Sequence, residues 1–341
     1  MENANTNNLC GLANLGNTCF INSILQILLR IPQLNNLLNN DLYIKKLNND
    51  VNSLLLIEWD SLRKEMLKGI HNTISPNKFL LTIHNVSKIK NIPIFAGYQQ
   101  NDVQEFLLFI IDCFHLALKR NIKITVDGEC KTEQDKLAKK CYTTIQRMYE
   151  TDYSEIFDMF HGIHVSNIFN QNDRIVSNNV EIFYSIDLPL PPNSNKNPSL
   201  EDCFDLYTSP EILDGDNMYY DETLGEKIVA KKNILFWSLP KILIIDIKRF
   251  SARIMKLQQL LNFPIDNLNL SKYVIGYNPH EYIYDLFGIC NHSGGVGGGH
   301  YTSFVKDGDD WYLCNDTQVT KIDDPNKIIT PKAYCLFYKK R

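Results

Sequence analysis

A turn rich in glycine and asparagine runs directly into an apolar segment within residues 10–30, and Cys19 stands at the junction. The apolar residues that follow recur with the spacing of one helix face, namely Ile21, Ile24, Leu25 and Leu28. Such spacing predicts an amphipathic helix with a buried face. Asn17 and Thr18 are residue types that cap helix N-termini, so we predict Cys19 in or just before the first helical turn.

A cysteine in this position has two interpretations. Unpaired backbone N–H groups and the positive end of the helix dipole stabilise a thiolate, so a nucleophilic Cys19 is expected to have a pKa well below about 8.5. A buried and inert cysteine is nevertheless the commoner occupant of such a position. The rest of the chain must decide between them.

The composition limits the class of protein. At 341 residues, with 44% hydrophobic and 22% charged residues, the chain is typical of a globular protein with a full core. Its net charge of -4 does not indicate nucleic acid or an anionic membrane as a partner. No apolar run approaches the length of about 20 residues that spans a bilayer. We therefore expect no nucleic-acid or membrane partner. We also expect a monomer.

The first residues and the cysteines bear on the cellular compartment. Residues 1–8 are polar and lack the apolar core of a secretion signal, so we expect a short disordered lead-in. The nine cysteines are scattered and odd in number, which argues against a disulfide framework. A Cys-x-x-Cys pair, the usual sign of a structural zinc site, does not occur in the sequence. We predict an intracellular protein of a reducing compartment, the cytoplasm or nucleus, with no cofactor.

The chain changes from helical to strand-like patterns near residue 153. Before it, helical spacing is clearest at residues 54–67 and 102–118, and a further helix is predicted in the second half of residues 119–150. Beyond it, β-branched and aromatic residues predict strands at residues 182–188, 241–250, 282–291, 299–305, 311–314 and 333–338. A helical first part and a sheet-rich second part predict an α+β protein with a cleft between them.

A candidate partner for Cys19 lies near the end of the chain. Among the eight histidines, only His300 joins a glycine-rich loop to a strand pattern, which would let its imidazole project into a cleft. The next predicted strand would run antiparallel to it and bring Asn315 or Asp316 beside His300. Either residue could accept the second ring N–H and fix the tautomer. On spacing alone, a catalytic assembly and a set of unrelated structural residues are about equally supported.

Several segments, in order, resemble the motifs of the ubiquitin-specific proteases, a papain-like family of cysteine deubiquitinases. Residues 11–23 resemble the cysteine box of that family. Residues 100–106, Gln-Asn-Asp-Val-Gln-Glu-Phe, resemble its Gln-Gln-Asp-Ala-x-Glu-Phe segment, with Asn in place of the second Gln. Residues 239–250, 291–303, 311–319 and 333–338 are similar to its Leu-Pro…Lys-Arg-Phe strand, histidine box and closing strands. The motifs cover nearly the whole chain.

The resemblance implies a fold, a reaction and a set of catalytic residues. The fold would be papain-like, with a mainly helical thumb over residues 9–152 and β fingers and a sheet-rich palm over residues 153–341, in one catalytic domain at 9–341. The reaction would be hydrolysis of the bond after the C-terminal Gly-Gly of ubiquitin through a cysteine thioester. The implied residues are the nucleophile Cys19, the general base His300, its orienter Asn315 with Asp316 as alternative or shared orienter, and Asn14 in the oxyanion hole.

The same resemblance implies a channel for the basic tail of ubiquitin, which is the expected partner together with ubiquitin-conjugated proteins. Asp102 and Glu105 are candidates for its acidic contacts, Gln100 is a similar candidate, and Tyr301 would line the channel. Most of these residues could instead have an ordinary structural role. The two acidic residues also fit the first turn of a helix, and Asn14 also fits an ordinary turn.

The chain departs from the family at the tip of the fingers, where many relatives carry two Cys-x-x-Cys pairs that bind zinc. Asn170 and Asp173 occupy the first pair of positions, and Asp221 and Leu224 occupy the second. These residues do not form a tetrahedral thiolate site. His161 and His164 are spaced by three, but a strand would direct them to opposite faces. We therefore predict no structural zinc.

Three functions remain compatible with the sequence. An active deubiquitinase is favoured because every chemical position is filled. A catalytically silent ubiquitin-binding module would be expected to have lost Cys19 or His300. A protease for a ubiquitin-like modifier would share the same tail channel.

Overall fold

The computed structural model describes residues 9–192, 197–250, 255–295 and 297–341. The predicted lead-in over residues 1–8 lies outside the described residues. The helices are α1 (Cys19–Leu28), α2 (Pro32–Leu38), α3 (Val51–Leu67), α4 (Asn77–Ile89), α5 (Val103–Leu118), α6 (Glu133–Asp152), α7 (Glu155–Phe160) and α8 (Leu200–Thr208). None of these helices combines the length and the apolar character that crossing a membrane requires.

The strands fall mainly in the second half of the chain. They are β1 (Gly11–Leu12), β2 (Thr73–Ile74), β3 (Gly162–Phe169), β4 (Ile175–Phe183), β5 (Ser185–Pro189), β6 (Glu211–Leu213), β7 (Tyr219–Asp221), β8 (Glu226–Ile228), β9 (Ala230–Ser238), β10 (Ile242–Lys248), β11 (Leu268–Asn269), β12 (Ile283–Gly295), β13 (Gly298–Asp307), β14 (Asp310–Asn315), β15 (Gln318–Ile322) and β16 (Ala333–Lys340). The predicted α+β class is confirmed.

Two larger sheets follow the helical part, which comprises α1 to α7 and is called the thumb below. The palm is an eight-stranded sheet in the order β15-β14-β13-β12-β16-β10-β5, with β11 beside β12. The fingers are a four-stranded sheet in the order β4-β3-β9-β6, with the β7-β8 hairpin beside it in sequence. One apolar core joins the thumb to the facing side of the palm, and a second lies on the other side of the palm.

Residues 182–188, predicted as one strand, are divided between these sheets. The first residues end β4, which pairs with β3 in the fingers, whereas β5 pairs with β10 in the palm. The break falls at Tyr184. Local composition favours strand on both sides of the break, and only the pairing partners separate them.

Helix α1 is the central element of the thumb. It lies against α5 on one side and against β12 and β13 of the palm on another. The sequence predicts one buried face, but all ten residues of α1 are buried. Its polar residues lie inside because they bind the preceding segment: Gln26 Nε2 donates to the Cys10 carbonyl at 2.7 Å, and Asn22 Nδ2 donates to the carbonyls of Leu12 and Ala13.

Candidate active site

Cys19 is the first residue of α1, as the capping pattern predicts. The preceding turn bends sharply, with positive φ at Gly16 and Asn17. Thr18 occupies the N-cap position, but its hydroxyl accepts from the Leu15 backbone N–H at 2.9 Å instead of capping α1. The first N–H groups of α1 are therefore not satisfied by that hydroxyl.

The sulfur of Cys19 lies at the seam between thumb and palm. The backbone N–H groups of Phe20 and Tyr301 point at it, and both favour the thiolate. Burial acts more strongly in the opposite direction, because Cys19 is only 2% exposed. The pKa of the thiol is therefore raised above its ordinary value, chiefly by burial and also by the Asp316 carboxylate. The expectation of a lowered Cys19 pKa is wrong for this structure: helix position is a local property, whereas desolvation is imposed by the palm.

His300 is in β13, and its Nε2 lies 2.7 Å from Asn315 Oδ1 at the end of β14. The predicted antiparallel pairing of these two strands is present, with Ser303 opposite Cys314. This hydrogen bond assigns the ring proton to Nε2, because the amide oxygen can only accept. Nδ1 is then the nitrogen that can take a proton.

Asp316 follows Asn315 but faces a different group. Its backbone is in the left-handed region, with φ of 48°. Its carboxylate oxygens accept from Asn22 Nδ2 at 2.8 Å and from Asn14 Nδ2 at 3.0 Å. The geometry therefore places Asn315 at His300 and Asp316 at Asn14.

The side-chain amide of Asn14 is held at both ends. Its Oδ1 accepts from the backbone N–H groups of Gly16 and Thr18, each at 3.1 Å, so Asn14 does form the turn that its residue type suggests. Its Nδ2 donates one hydrogen to Asp316. A flipped amide would set its NH₂ against two N–H groups and its oxygen against a carboxylate, so the orientation is fixed. The second hydrogen of Nδ2 is left for another acceptor.

The segment before the cysteine is pinned to the loop after β14. The Leu12 N–H donates to the Asp316 carbonyl at 2.8 Å. A Cβ on Gly11 would overlap the Thr317 carbonyl, so only glycine permits this approach. The sequence did not identify Asn22 as part of this arrangement, and its one signal was an amide within an otherwise apolar run.

Gln100 and the glycine-rich loop meet over the thiol. The Gln100 amide accepts from the Gly299 N–H at 2.9 Å and donates to the Gly299 carbonyl in return. Its Nε2 also lies 3.9 Å from the Cys19 sulfur. A Cβ on Gly299 would collide with His292, so the loop needs glycine there. This amide pair closes the space in front of the sulfur.

Asp102 caps helix α5 and also binds two tyrosines of the palm. It caps α5 by accepting from the Gln104 N–H at 2.8 Å. Its other oxygen accepts from the hydroxyls of Tyr334 at 2.8 Å and Tyr301 at 3.4 Å. Burial and this carboxylate raise the pKa of both phenols above their ordinary value, so they remain donors. Asp102 is thereby tied to the palm.

Two cavities lie along the start of α5. The proximal cavity, of about 450 Å³, is lined by Gln100, Asn101, Asp102, Phe250, His292, Gly295, Gly297, Gly298, Gly299 and Tyr301. The distal cavity, of about 400 Å³, is lined by Gln104, Glu105, Leu108, Ser185, Asp187, Tyr207 and Lys248. Three of the predicted channel residues thus share the proximal cavity, whereas Glu105 is exposed at the distal one.

His292 is a lining residue to which the sequence gave no role. Burial and the neighbouring Lys256 lower the pKa of His292 to about 4, and burial lowers the pKa of Lys256 to about 8. Lys256 Nζ lies 3.0 Å from His292 Nδ1. At neutral pH the imidazole is therefore neutral, and it acts as a wall of the cavity.

At the tip of the fingers, three of the four positions compared with a zinc site carry polar side chains that bind nearby groups of the protein. Asn170 Oδ1 accepts from the N–H groups of Asn172 and Arg174, and Asp221 Oδ1 accepts from Thr223 N–H at 2.8 Å. Asp173 forms an ion pair with Lys231 at 2.8 Å. In the part of the chain that the structure describes, no group of three or more His, Cys, Asp or Glu side chains is placed to hold a metal ion.

Comparison with known proteins gives a consistent result. Residues 10–338 match the family described as ubiquitin carboxyl-terminal hydrolase. The chain is 32% identical to human ubiquitin carboxyl-terminal hydrolase 2, over 99% of this chain and 56% of the relative. It is 31% identical to the protein of that name from Gallus gallus, over 97% of this chain and 93% of the relative. The chain thus spans little more than half the length of the human relative.

Solved structures show the same fold. A chain of the SAGA DUB module Ubp8/Sgf11/Sus1/Sgf73 bound to monoubiquitin superposes with a TM-score of 0.75 at 24% identity, over 98% of this chain and 70% of that one. The module bound to ubiquitin aldehyde gives a TM-score of 0.74 at 23% identity, over 100% and 71%. The fold implied by the motifs is confirmed.

Proposed function

Because the chain belongs to the ubiquitin carboxyl-terminal hydrolase family, we propose that it is a deubiquitinating cysteine protease that cleaves the isopeptide or peptide bond after the C-terminal Gly-Gly of ubiquitin. The observation that carries the proposal is the convergence of separate motifs on one sulfur. Cys19 accepts from the backbone of Tyr301, next to a His300 that is already bound to Asn315. Asn14 presents an amide hydrogen beside the same turn.

In the proposed mechanism, His300 Nδ1 takes the thiol proton as the Cys19 sulfur attacks the carbonyl carbon of the terminal glycine. Asn315 keeps the proton on Nε2 and so holds Nδ1 as the base. The oxyanion that forms accepts from Asn14 Nδ2, whose direction Asp316 sets. His300 then returns the proton to the leaving amine, which leaves a thioester on Cys19. Water, deprotonated by His300, releases ubiquitin and the thiol.

The tail of ubiquitin is proposed to reach Cys19 through the proximal cavity. Two glycines fit a passage from which larger side chains are excluded, and the Gln100–Gly299 pair must separate to admit them. Asp102 and Glu105 then serve as acidic contacts for the basic residues of the tail, and Tyr301 supports Asp102. In this proposal one catalytic domain spans residues 9–341 and acts as a monomer on ubiquitin or ubiquitin-conjugated proteins. Its nine free cysteines support a reducing compartment, the cytoplasm or nucleus.

Ubiquitin that carries a C-terminal electrophile tests the proposal. We expect one covalent adduct with the native chain and none with Cys19→Ala, measured by intact mass. Cys130→Ala is the matched control, because Cys130 is an exposed free cysteine that should not react through the channel. An adduct that persists in Cys19→Ala, or that disappears in Cys130→Ala, contradicts the assignment.

The same assay separates the other two functions. A silent binding module would retain ubiquitin on a column but form no adduct. A protease for a ubiquitin-like modifier would react with a probe built on that modifier and leave the ubiquitin probe unmodified. Either result would replace the proposed function.

A further inference from the structure

Arg30 is a buried cation two residues beyond the C-terminal end of α1. Its side chain is 7% exposed, and an ion pair joins its Nη1 to the Oδ1 of Asp307 at 3.4 Å. Within the described part of the chain, Nε and Nη2 of Arg30 have no hydrogen-bond partner. Burial lowers the pKa of Arg30, but a guanidinium keeps its proton in proteins. A buried charge with unpaired donors is costly, so a ligand that pairs with them would be favoured.

Arg30 lines a third cavity, of about 580 Å³, at the seam between the thumb and the palm. Apolar residues from both sides form much of the wall, namely Leu29, Pro32 and Leu67 of the thumb and Leu286 and Phe287 of the palm. The cavity lies at the opposite end of α1 from Cys19. Among the described residues, it has no lining residue in common with the proximal and distal cavities. The seam cavity therefore combines a buried guanidinium with hydrocarbon walls, away from the catalytic cysteine.

The other charges around the seam cavity limit the charge of a ligand. Apart from the pair of Arg30 and Asp307, the charged lining residues are two cations and two carboxylates, namely Lys306, Lys339, Asp285 and Asp309. These four charges balance, so a ligand with several negative charges gains little over a ligand with one. The unpaired donors belong to Arg30 alone, and they match a single negative group.

We propose that the seam cavity binds a small organic monocarboxylate, whose two oxygens accept from Nε and Nη2 of Arg30 and whose apolar body packs against the hydrocarbon walls. The edge of a guanidinium formed by Nε and Nη2 takes both oxygens of a carboxylate in parallel, and such charge-assisted bonds are strong. Both nitrogens are buried in the free chain, so binding turns the guanidinium towards the cavity that it lines, which the long pair with Asp307 permits. The bound ligand would bridge the thumb and the palm and leave the proposed route of the substrate tail open.

Benzoate is the probe for this site. Benzamide is its neutral isostere, and inorganic phosphate is an anion without an apolar body. In calorimetric titrations of the native chain at constant ionic strength, benzoate should bind with a Kd on the order of 1 mM. Benzamide and phosphate should each bind at least about tenfold more weakly. Equal binding of either compound, or no benzoate binding up to about 20 mM, overturns the inference.

Arg30→Gln removes the charge and the paired donors, so it should weaken benzoate binding at least about tenfold. Arg120→Gln is the matched control and should leave the Kd unchanged, because the Arg120 guanidinium binds Glu155 and does not line the seam cavity. Equal affinity of Arg30→Gln and the native chain for benzoate contradicts the assignment.

A second variant tests the site with Arg30 in place. Asp307→Asn removes the carboxylate that competes for the guanidinium, so it should tighten benzoate binding about two- to tenfold. The Asp307 side chain is 38% exposed, so the fold should be retained. Asp310→Asn is the matched control, because Asp310 lies in the same hairpin but pairs with Lys321 at 2.7 Å. An Asp307→Asn variant that binds benzoate no more tightly than Asp310→Asn does overturns the inference even where Arg30→Gln does not fold.

Methyl NMR locates the bound probe. Benzoate should shift the methyl signals of Leu29 and Leu67, which line the seam cavity, and leave those of Leu108 in the distal cavity unchanged. Shifts at Leu108 without shifts at Leu29 and Leu67 would place the ligand elsewhere and reject the site. All of these measurements use the free chain, so their outcome is independent of the proposed hydrolysis of ubiquitin.

Discussion

Replacing Asp316 by alanine should lower kcat for fluorogenic ubiquitin about 10- to 100-fold and leave KM nearly unchanged. The carboxylate holds the donor end of Asn14 at 3.0 Å, and the other end of Asn14 stays bound to Gly16 and Thr18. The amide therefore remains near the thiol but loses its fixed direction. Loss of a whole oxyanion donor lowers kcat about 10²–10³-fold, which is the effect expected for Asn14→Ala. The Asp316 effect should be smaller, because the donor is misdirected and not removed.

Asp316→Ala should also lower the stability of the folded protein. Asp316 also accepts from Asn22, which is 2% exposed within α1. Removing a charged partner from a buried amide costs about 1–3 kcal/mol of unfolding free energy. Thermal unfolding should show this loss. The kinetic measurements should be made at temperatures well below the unfolding transition of the variant. Thr317→Ala is the matched control, because the Thr317 side chain is exposed and only its carbonyl faces Gly11.

A double-mutant cycle distinguishes this role from a direct effect on His300. If Asp316 acts only through Asn14, the double variant should be no slower than Asn14→Ala alone, within about 0.5 kcal/mol. If Asp316 acts on His300, its loss should add to that of Asn14→Ala and should shift the pH dependence of kcat, as Asn315→Ala is expected to do. Additive losses with such a shift would refute the assignment of Asp316 to Asn14 and of Asn315 alone to His300.

Three further outcomes are expected. The rate of Cys19 alkylation by iodoacetamide in the free chain should keep rising with pH beyond about 8.5, because burial raises the thiol pKa and only the thiolate reacts. A rate that reaches a plateau below pH 7 would contradict this prediction. Gln100→Ala should speed that alkylation about tenfold at fixed pH. The variant loses the hydrogen bonds to Gly299, which favour the closed site by a net of about 1–2 kcal/mol. Chelators should leave the midpoint of thermal unfolding unchanged, whereas Asp221→Ala should lower it because the bonds to the following turn are lost. Stoichiometric zinc in the purified protein would contradict this prediction.

The parts of the site that sequence could predict are those fixed by short-range geometry. The position of Cys19 at the start of α1 follows from a 3.6-residue apolar period after a turn. The pairing of the strand carrying His300 with the strand ending at Asn315 follows from the short turn between them. Both depend on residues that are close along the chain, so local pattern and final structure agree.

The parts that sequence could not predict depend on distant groups. Two adjacent polar residues follow β14, and the left-handed backbone of Asp316 decides which of them faces His300. The thiol pKa is set by burial against a palm formed more than 280 residues further along, at Tyr301. In the sequence, Asp246 is one polar residue in an apolar strand, and only the fold shows that β5 and α5 bring two more carboxylates beside it.

The buried thiol and the closed amide pair describe a single resting state. Gln100 and Gly299 bind each other beside the sulfur, so the groups that the proposed tail would displace also cover Cys19. In the proposed mechanism, admission of the two glycines of the tail opens this pair and brings a carbonyl carbon to the sulfur. The same mechanism gives the thiol proton to His300, whose other nitrogen is already hydrogen-bonded to Asn315. In the proposed mechanism the thiol pKa that governs attack is that of the complex, whereas the raised pKa of the free chain follows chiefly from burial of Cys19.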